Sequence, residues 1–173
     1  MLRAEGERVL LMCDGIIDTG CFDGKTRIYE KSELRRRVTE DIYKAAFSDA
    51  QRARIEAVQI RKAENDPASS DVCDRIFILS LSDIPRDQAQ RVLKATDYAI
   101  AMGNAIRSAP AGIFAKYTEE NYGDGFWWLR SCIGRSTSTD AIADYVDFYG
   151  NAGGAYQVSY KRCGIVPAIW VNI

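Results

Sequence analysis

Gly123-Asp124-Gly125-Phe126-Trp127-Trp128-Leu129-Arg130-Ser131 is the stretch at which the chain changes character. Beyond it, glycine and serine punctuate short aromatic and β-branched runs, and no helical period can be found. This pattern predicts strands at 126–130, 143–149, 155–160 and 165–171. Successive side chains of a strand point to opposite faces, so Trp127 and Trp128 part company. One is expected in the core and the other under a loop or lining a surface, both as scaffold. Arg130 is expected to anchor a buried hydrogen-bond network that reaches loop carbonyls or a carboxylate.

Upstream of that stretch the sequence reads differently. Residues 7–13 form an apolar run suited to a buried strand, and Gly15, Gly20 and Gly24 mark the loops after it. Ser32 can cap a helix in which Leu34, Val38, Ile42 and Ala46 recur every four residues, leaving Arg35, Arg36 and Arg37 mostly in water. Ser48 and Gln51 have capping-box spacing, so a second, short helix starts there. Residues 65–71 compose a loop, 75–80 a buried strand, and Ser82 is placed to cap a helix over 85–93. Residues 95–102 look helical and end at Gly103. Helices followed by antiparallel strands make an α+β fold, with N-terminal helices packed on a short-stranded sheet built mainly by the C-terminal half. Without an internal repeat or a linker, residues 1–173 are expected to form one domain.

Composition removes several classes of function. With 23 Lys and Arg against 24 Asp and Glu the chain carries a net charge of −1, so no bulk field draws nucleic acid. The longest apolar runs, such as Val9 to Met12 and Ile76 to Leu79, fall far short of the roughly 20 residues of a membrane span. No secretory signal is expected, and the compartment stays open. Five cysteines, Cys13, Cys21, Cys73, Cys132 and Cys163, form an odd set with no C-x-x-C pair, which suits reduced thiols and leaves a Cys132–Cys163 bridge as the alternative. The chain contains no histidine, which removes the usual general base, the His-dependent nucleophile pairs and the commonest zinc ligand. Asp140, Asp144 and Asp147 match no calcium-loop spacing, and Asp23-Gly24-Lys25-Thr26 lacks the leading glycine of a phosphate loop and reads as a turn. No metal and no cofactor is expected.

Three segments taken together carry a resemblance. Trp127-Trp128-Leu129-Arg130-Ser131, then Ala143-Asp144-Tyr145-Val146 with Gly150, then Gly164-Ile165-Val166-Pro167-Ala168-Ile169-Trp170 resemble a bacterial and phage domain family of unknown function. Its signature runs W-W-L-R-S-P-G, A-x-x-V, G and G-V-R-P-A-L-W. The segments starting at Ser32, Ala46, Asp74 and Ala95 agree with it, so the likeness covers nearly the whole chain. That family is similar to the formylglycine-generating-enzyme branch of the C-type lectin fold. The resemblance implies a C-type-lectin-like domain in which a strand bearing Trp and Arg pairs in the core with a final G-[FV]-R strand. Val166 stands where the family has arginine, and Cys132-Ile133-Gly134 stands in place of Pro-Gly. No cysteine pair of the formylglycine-generating enzymes can be carried over, so no enzymatic activity is expected.

The same lectin-like branch includes the variable proteins of diversity-generating retroelements, in which adenines of asparagine codons are randomised. Such codons can yield Tyr, Ser, Asp, Ile, Cys, Phe, Ala or Gly but never Glu, Gln, Lys, Met or Trp. Between Ser131 and Val166 only Gln157 and Lys161 belong to the excluded set, 2 of 36 residues. Residues 1–130 hold 24 of them, a rate that would place about six or seven in that window. A loop-rich β region is also naturally poor in Glu and Lys.

Cys132, Ile133, Arg135, Asp140, Ile142, Asp144, Asp147, Tyr149, Asn151, Tyr156, Tyr160 and Arg162 therefore form the candidate ligand-binding set. Tyrosine among small and polar neighbours suits an adaptable recognition surface, and an ordinary solvated sheet face is the competing account. The expected function is a non-enzymatic module that binds a protein or glycan ligand, with a surface varied by a retroelement. The alternative is an assembly domain of a phage or bacterial surface complex that forms homo-oligomers.

Overall fold

The computed structural model describes residues 1–62, 69–87, 89–107, 120, 122–132 and 141–173. In chain order its strands are β1 (Arg3–Glu5), β2 (Arg8–Met12), β3 (Asp18–Gly20), β4 (Val58–Ile60), β5 (Val72–Asp74), β6 (Phe77–Ile78), β7 (Trp127–Trp128), β8 (Ile142–Val146), β9 (Ala152–Gln157), β10 (Cys163–Ile165) and β11 (Pro167–Asn172). Its α-helical pieces are α1 (Glu33–Arg36), α2 (Tyr43–Ala46), α3 (Asp49–Arg52) and α4 (Asp97–Ala101). A π-helical segment, Arg37–Ile42, joins α1 to α2.

The two ends of the chain zip together. β2 pairs antiparallel with β11 from Met12↔Ala168 to Arg8↔Asn172, and β1 and β6 complete a four-stranded sheet in the order β1-β2-β11-β6. A second sheet runs β3-β10-β7-β8-β9, antiparallel except where β10 meets β7 through Gly164↔Trp127. The fold is thus mixed α/β, with few helices and several antiparallel sheets. The expected order of helices first and strands after is corrected here. The first twenty residues already supply three strands, one of them in the second sheet, and the apolar Leu10 and Met12 of β2 are matched by Trp170 and Ala168 on β11.

Gly164 permits the close β10–β7 contact. A Cβ at this position would press into Ile16 and come within 2.7 Å of the Phe126 carbonyl oxygen and 2.9 Å of Asn104 Nδ2. Side-chain alternation then sorts the sheets into two cores. Trp127, Leu129, Phe77, Leu79, Val146 and Val166 face one core, together with Leu10 and Trp170. Trp128, Ile76, Ile78, Ala143, Cys163 and Ile165 face the other, with Phe22, Leu34 and Val38. Both tryptophans are fully buried as scaffold, and neither lines a surface. Protein covers β7 on both faces, so neither ring reaches solvent.

Local signals set the helix starts. The Ser32 hydroxyl accepts from the Arg35 amide, and Ser48 and Gln51 form the reciprocal capping box. Thr96 caps α4 by accepting from the Ala99 amide, and the chain leaves that helix at Gly103 with φ +96°. The four-residue stripe fades along the first helix: Leu34 and Val38 are buried, Ile42 is half-buried and Ala46 is exposed. A π-helical segment holds more than four residues per turn, so a spacing of four no longer tracks one face. Arg35 and Arg37 also depart from expectation. Arg35 forms a bidentate pair with Asp74 at 2.9 and 2.7 Å, and Arg37 forms one with Asp18 at 2.8 and 2.8 Å. These pairs tie the helix to β5 and β3, and only Arg36 is exposed. The helix expected over 85–93 is replaced by a turn and a single 3-10 turn, Ala89–Arg91. The Ser82 hydroxyl is engaged by Ser80 at 2.9 Å rather than by a helix terminus, and Ile84 and Leu93 anchor the segment in the core.

Candidate functional site

The C-terminal end of the second sheet builds an aromatic surface. On β8 and β9 the pairs Ala143↔Tyr156 and Tyr145↔Gly154 put Tyr145 and Tyr156 on one face, and the absent side chain of Gly154 leaves room for the Tyr145 ring. Tyr145 meets Phe126 at 5.4 Å and 75° and Tyr156 at 6.2 Å and 85°, both edge-to-face. Tyr156 continues to Tyr160 at 4.4 Å, while Phe126 continues through Phe148 at 4.9 Å to Tyr149, another 4.4 Å on. Arg107 lies over Tyr149 at 4.2 Å and over Phe148 at 5.3 Å, a cation–π stack at the end of the series.

Phe126, Tyr145, Tyr156, Tyr160 and Cys163 enclose a hollow of about 130 Å³. Burial pushes the Tyr145 phenol above its ordinary range, and the nearby Asp147 carboxylate pushes it the same way. The Tyr160 phenol is likewise raised by burial, against the opposing pull of Arg162. Burial also drives the Cys163 thiol well above its usual value. The Tyr145 and Tyr160 phenols and the Cys163 thiol are thus all held toward their protonated forms.

The loop between β8 and β9 is organised by one carboxylate. Asp147 Oδ1 accepts from the Tyr149 amide at 2.8 Å and the Asn151 amide at 2.9 Å, and Oδ2 accepts from Asn151 Nδ2 at 2.9 Å. Gly150, with φ +79°, makes the left-handed step this loop requires. Tyr149 is thereby held outward at 39% exposure, and Tyr156 on the sheet edge reaches 47%.

Of the residues singled out from sequence, the structure brings Tyr149, Tyr156 and Tyr160 into this one aromatic series, with Asp147 and Asn151 in its loop and Arg162 facing Tyr160. Ile142 is half-buried and pairs with Gln157, one step out of phase with the Tyr145–Tyr156 face. Cys132 and Asp144 are corrections to the expected surface: both are buried, Cys132 with its thiol 3.3 Å from the Arg27 carbonyl oxygen and Asp144 at 1% exposure. Ile133, Arg135 and Asp140 lie outside the described residues. Phe126, Tyr145, Phe148 and Arg107 complete the surface and were not singled out. The alternation of Tyr145 with Ala143 was a usable signal for one of them, whereas Arg107 arrives from a distant segment with no local mark.

A wider cleft, about 1120 Å³, opens beside β6 and β11 and is bordered by Ser80, Asp83, Arg130, Ser131, Asp144 and Trp170. Several of its charges are engaged in scaffolding. Arg130, 8% exposed, donates to Asp83 Oδ2 at 2.6 Å and to the Ile78 carbonyl at 3.5 Å, and Asp83 also accepts from the Ser80 amide and hydroxyl. Arg3 and Arg8 both stack on Trp170, at 5.3 and 4.6 Å. Among the described residues no group of three or more Cys, Asp or Glu is placed to hold a metal ion, and no helix is long and apolar enough to cross a membrane. All five cysteines are free thiols.

Residues 6–173 match a domain of unknown function, DUF6273, and the chain belongs to that family. No curated protein and no solved structure matches it.

Proposed function

We propose that this chain is a non-enzymatic ligand-binding module on a C-type-lectin-like scaffold, which presents the aromatic series from Tyr149 to Tyr160 to a protein or glycan ligand. The observation that carries this reading is the exposure of Tyr149 at one end of a packed row of rings and of Tyr156 next to Tyr160 at the other. Large, stiff side chains provide contact area at low entropic cost, and Asp147, Asn151 and Arg162 supply polar contacts around them. The lectin-like scaffold is supported by the pairing of β7, which leads into Arg130, with β10 of the Gly164-Ile165-Val166 segment. Diversification by a retroelement is supported by the composition of residues 131–166. The positions it would vary are the exposed or half-buried ones, Ile142, Asp147, Tyr149, Asn151, Tyr156, Tyr160 and Arg162. Val166, fully buried between the sheets, is a core residue.

The test is a comparison of wild type with the Tyr149→Ala, Tyr156→Ala, Tyr160→Ala triple variant on an array of glycans and surface proteins, after circular dichroism shows both folded. Ligands held by wild type and lost by the variant are expected. An array on which the two proteins behave alike would remove the assignment. Sequencing the flanking DNA is expected to show a reverse transcriptase and a near-copy template differing mainly at adenines. If neither is found, the diversification part falls and the binding part stands.

A further inference from the structure

β9 is the last strand of its sheet, and its sequence, Ala152-Gly153-Gly154-Ala155-Tyr156-Gln157, carries neither a charge nor a proline. Its last four residues are all exposed. Natural edge strands are normally protected by lysine, proline or a covering segment, because unpaired backbone groups template pairing with another chain. Here a register shift opposite Tyr145 and Val146 disturbs only the Gly153 end, and the part from Gly154 to Gln157 is regular.

The outward backbone groups can be assigned. Asp144 faces β7 with its backbone: its amide donates to the Ser131 carbonyl and its carbonyl accepts from the Leu129 amide, both at 2.9 Å. Its partner Ala155 is therefore a non-hydrogen-bonded pair across β8–β9, and alternation turns the Ala155 N–H and C=O away from the sheet. The Val158 amide bonds to the Ala141 carbonyl, which fixes the same phase from the other end and turns the Gln157 amide outward too. No turn or loop backbone group among the described residues bonds to the Ala155 N–H or C=O.

We infer that β9 is a dimerisation edge whose partner is a second copy of this chain, paired antiparallel about a twofold axis at Ala155. On such an axis a residue meets its own copy, and Ala155 can exchange both of its hydrogen bonds with itself. The same register sets Tyr156 of each copy opposite Gly154 of the other. On that face the Tyr145 ring already covers Gly154, so Tyr156 of one copy would meet Tyr145 of the other and the two copies join their aromatic rows into one. The pairing does not depend on what ligand the tyrosines bind. A monomeric protein that still loses array ligands in the tyrosine variant would sink the dimer and leave the binding reading intact.

The test is sedimentation velocity of the full chain over a series of concentrations. Wild type is expected to show a reversible monomer–dimer equilibrium. Ala155→Lys and Ala155→Glu each put like charges directly opposite one another at the twofold and are expected to sediment as monomers. An equimolar mixture of the two is expected to recover the dimer. A wild type that stays monomeric throughout, or a dimer indifferent to both variants, overturns the inference. Hydrogen exchange on wild type is independent of whether the variants fold. The Ala155 and Gln157 amides should gain protection as concentration rises, and unchanged exchange at both would be equally fatal.

Discussion

Trp127 and Trp128 are neighbours in sequence yet serve opposite cores: Trp127 Nε1 donates to the Arg91 carbonyl at 3.1 Å on one side, and Trp128 Nε1 donates to the Gly20 carbonyl at 2.9 Å on the other. Each ring is fully buried, and each indole also satisfies a backbone carbonyl. Truncating either to alanine is expected to cost about 3–5 kcal/mol in urea unfolding. Trp128→Phe keeps most of the volume but abandons the Gly20 carbonyl, which costs about 1–3 kcal/mol. A Trp128→Phe variant as unstable as Trp128→Ala would show that the hydrogen bond, rather than the packing, dominates at that site.

Gly164→Ala addresses the seam between β10 and β7. The added methyl collides with backbone at Phe126 and with the side chains of Ile16 and Asn104, all of them buried or part of a ladder. Overpacking of this kind costs about 1–3 kcal/mol or more. Gly24→Ala is the control, since its nearest neighbour at 3.6 Å is the end of the Glu33 side chain. Thermal unfolding should separate the two variants clearly, and equal melting temperatures would contradict the close approach at Gly164.

Removing Arg130 leaves the Asp83 carboxylate, 20% exposed, without its charged donor. Arg130→Met is expected to destabilise by about 1–3 kcal/mol, the worth of a hydrogen bond to a charged group, while the Ser80 amide and hydroxyl still donate to Asp83. The double variant Arg130→Met, Asp83→Leu should recover part of that loss. A double-mutant cycle with no coupling would mean that the pair contributes nothing beyond its shape.

Much of this was legible in the sequence where the cause is local. The Ser32 cap and the Ser48–Gln51 box depend on residues three apart, and the β2 and β8 runs carry their own pattern. What escaped was set at a distance or by geometry the pattern cannot encode. The run Arg35-Arg36-Arg37 reads as a solvated face until Asp74 and Asp18 are brought to it. Which of Trp127 and Trp128 meets which core is open from the alternation alone, until the pairing with Val146 and the Arg91 carbonyl fix it for Trp127. Within the candidate site the tyrosines were visible by type, but the burial of Cys132 and Asp144 and the arrival of Arg107 over Tyr149 are tertiary facts.

Thiol reactivity should divide the five cysteines by burial. Cys73 is exposed, whereas Cys163 is buried beneath the tyrosine hollow with its thiol held protonated by desolvation. Iodoacetamide followed by mass spectrometry is expected to modify Cys73 first and Cys163 only after unfolding. Early labelling of Cys163 in the folded protein would mean that the hollow opens far enough to admit the reagent.

Acid stability should depend on Asp23, the hub of the turn that enters the first helix. Its Oδ1 accepts from the Lys25 and Thr26 amides at 2.7 and 2.8 Å, and its Oδ2 from the Glu33 amide at 3.1 Å. Burial opposes the charge, but the three amides together outweigh it and hold the carboxyl below its ordinary value. A carboxyl with a lower pKa folded than unfolded stabilises fully above the unfolded value, about 3.9, and that contribution drains away as the pH falls through the folded value. Asp23→Asn keeps the size of the side chain and one acceptor but has nothing to titrate. Its deficit in urea stability against wild type is therefore expected to be largest at pH 7 and to shrink below about pH 4, as wild type itself becomes neutral at this position. A deficit of the same size at pH 7 and at pH 3 would mean that Asp23 acts through its hydrogen bonds alone and that its charge contributes nothing to the fold.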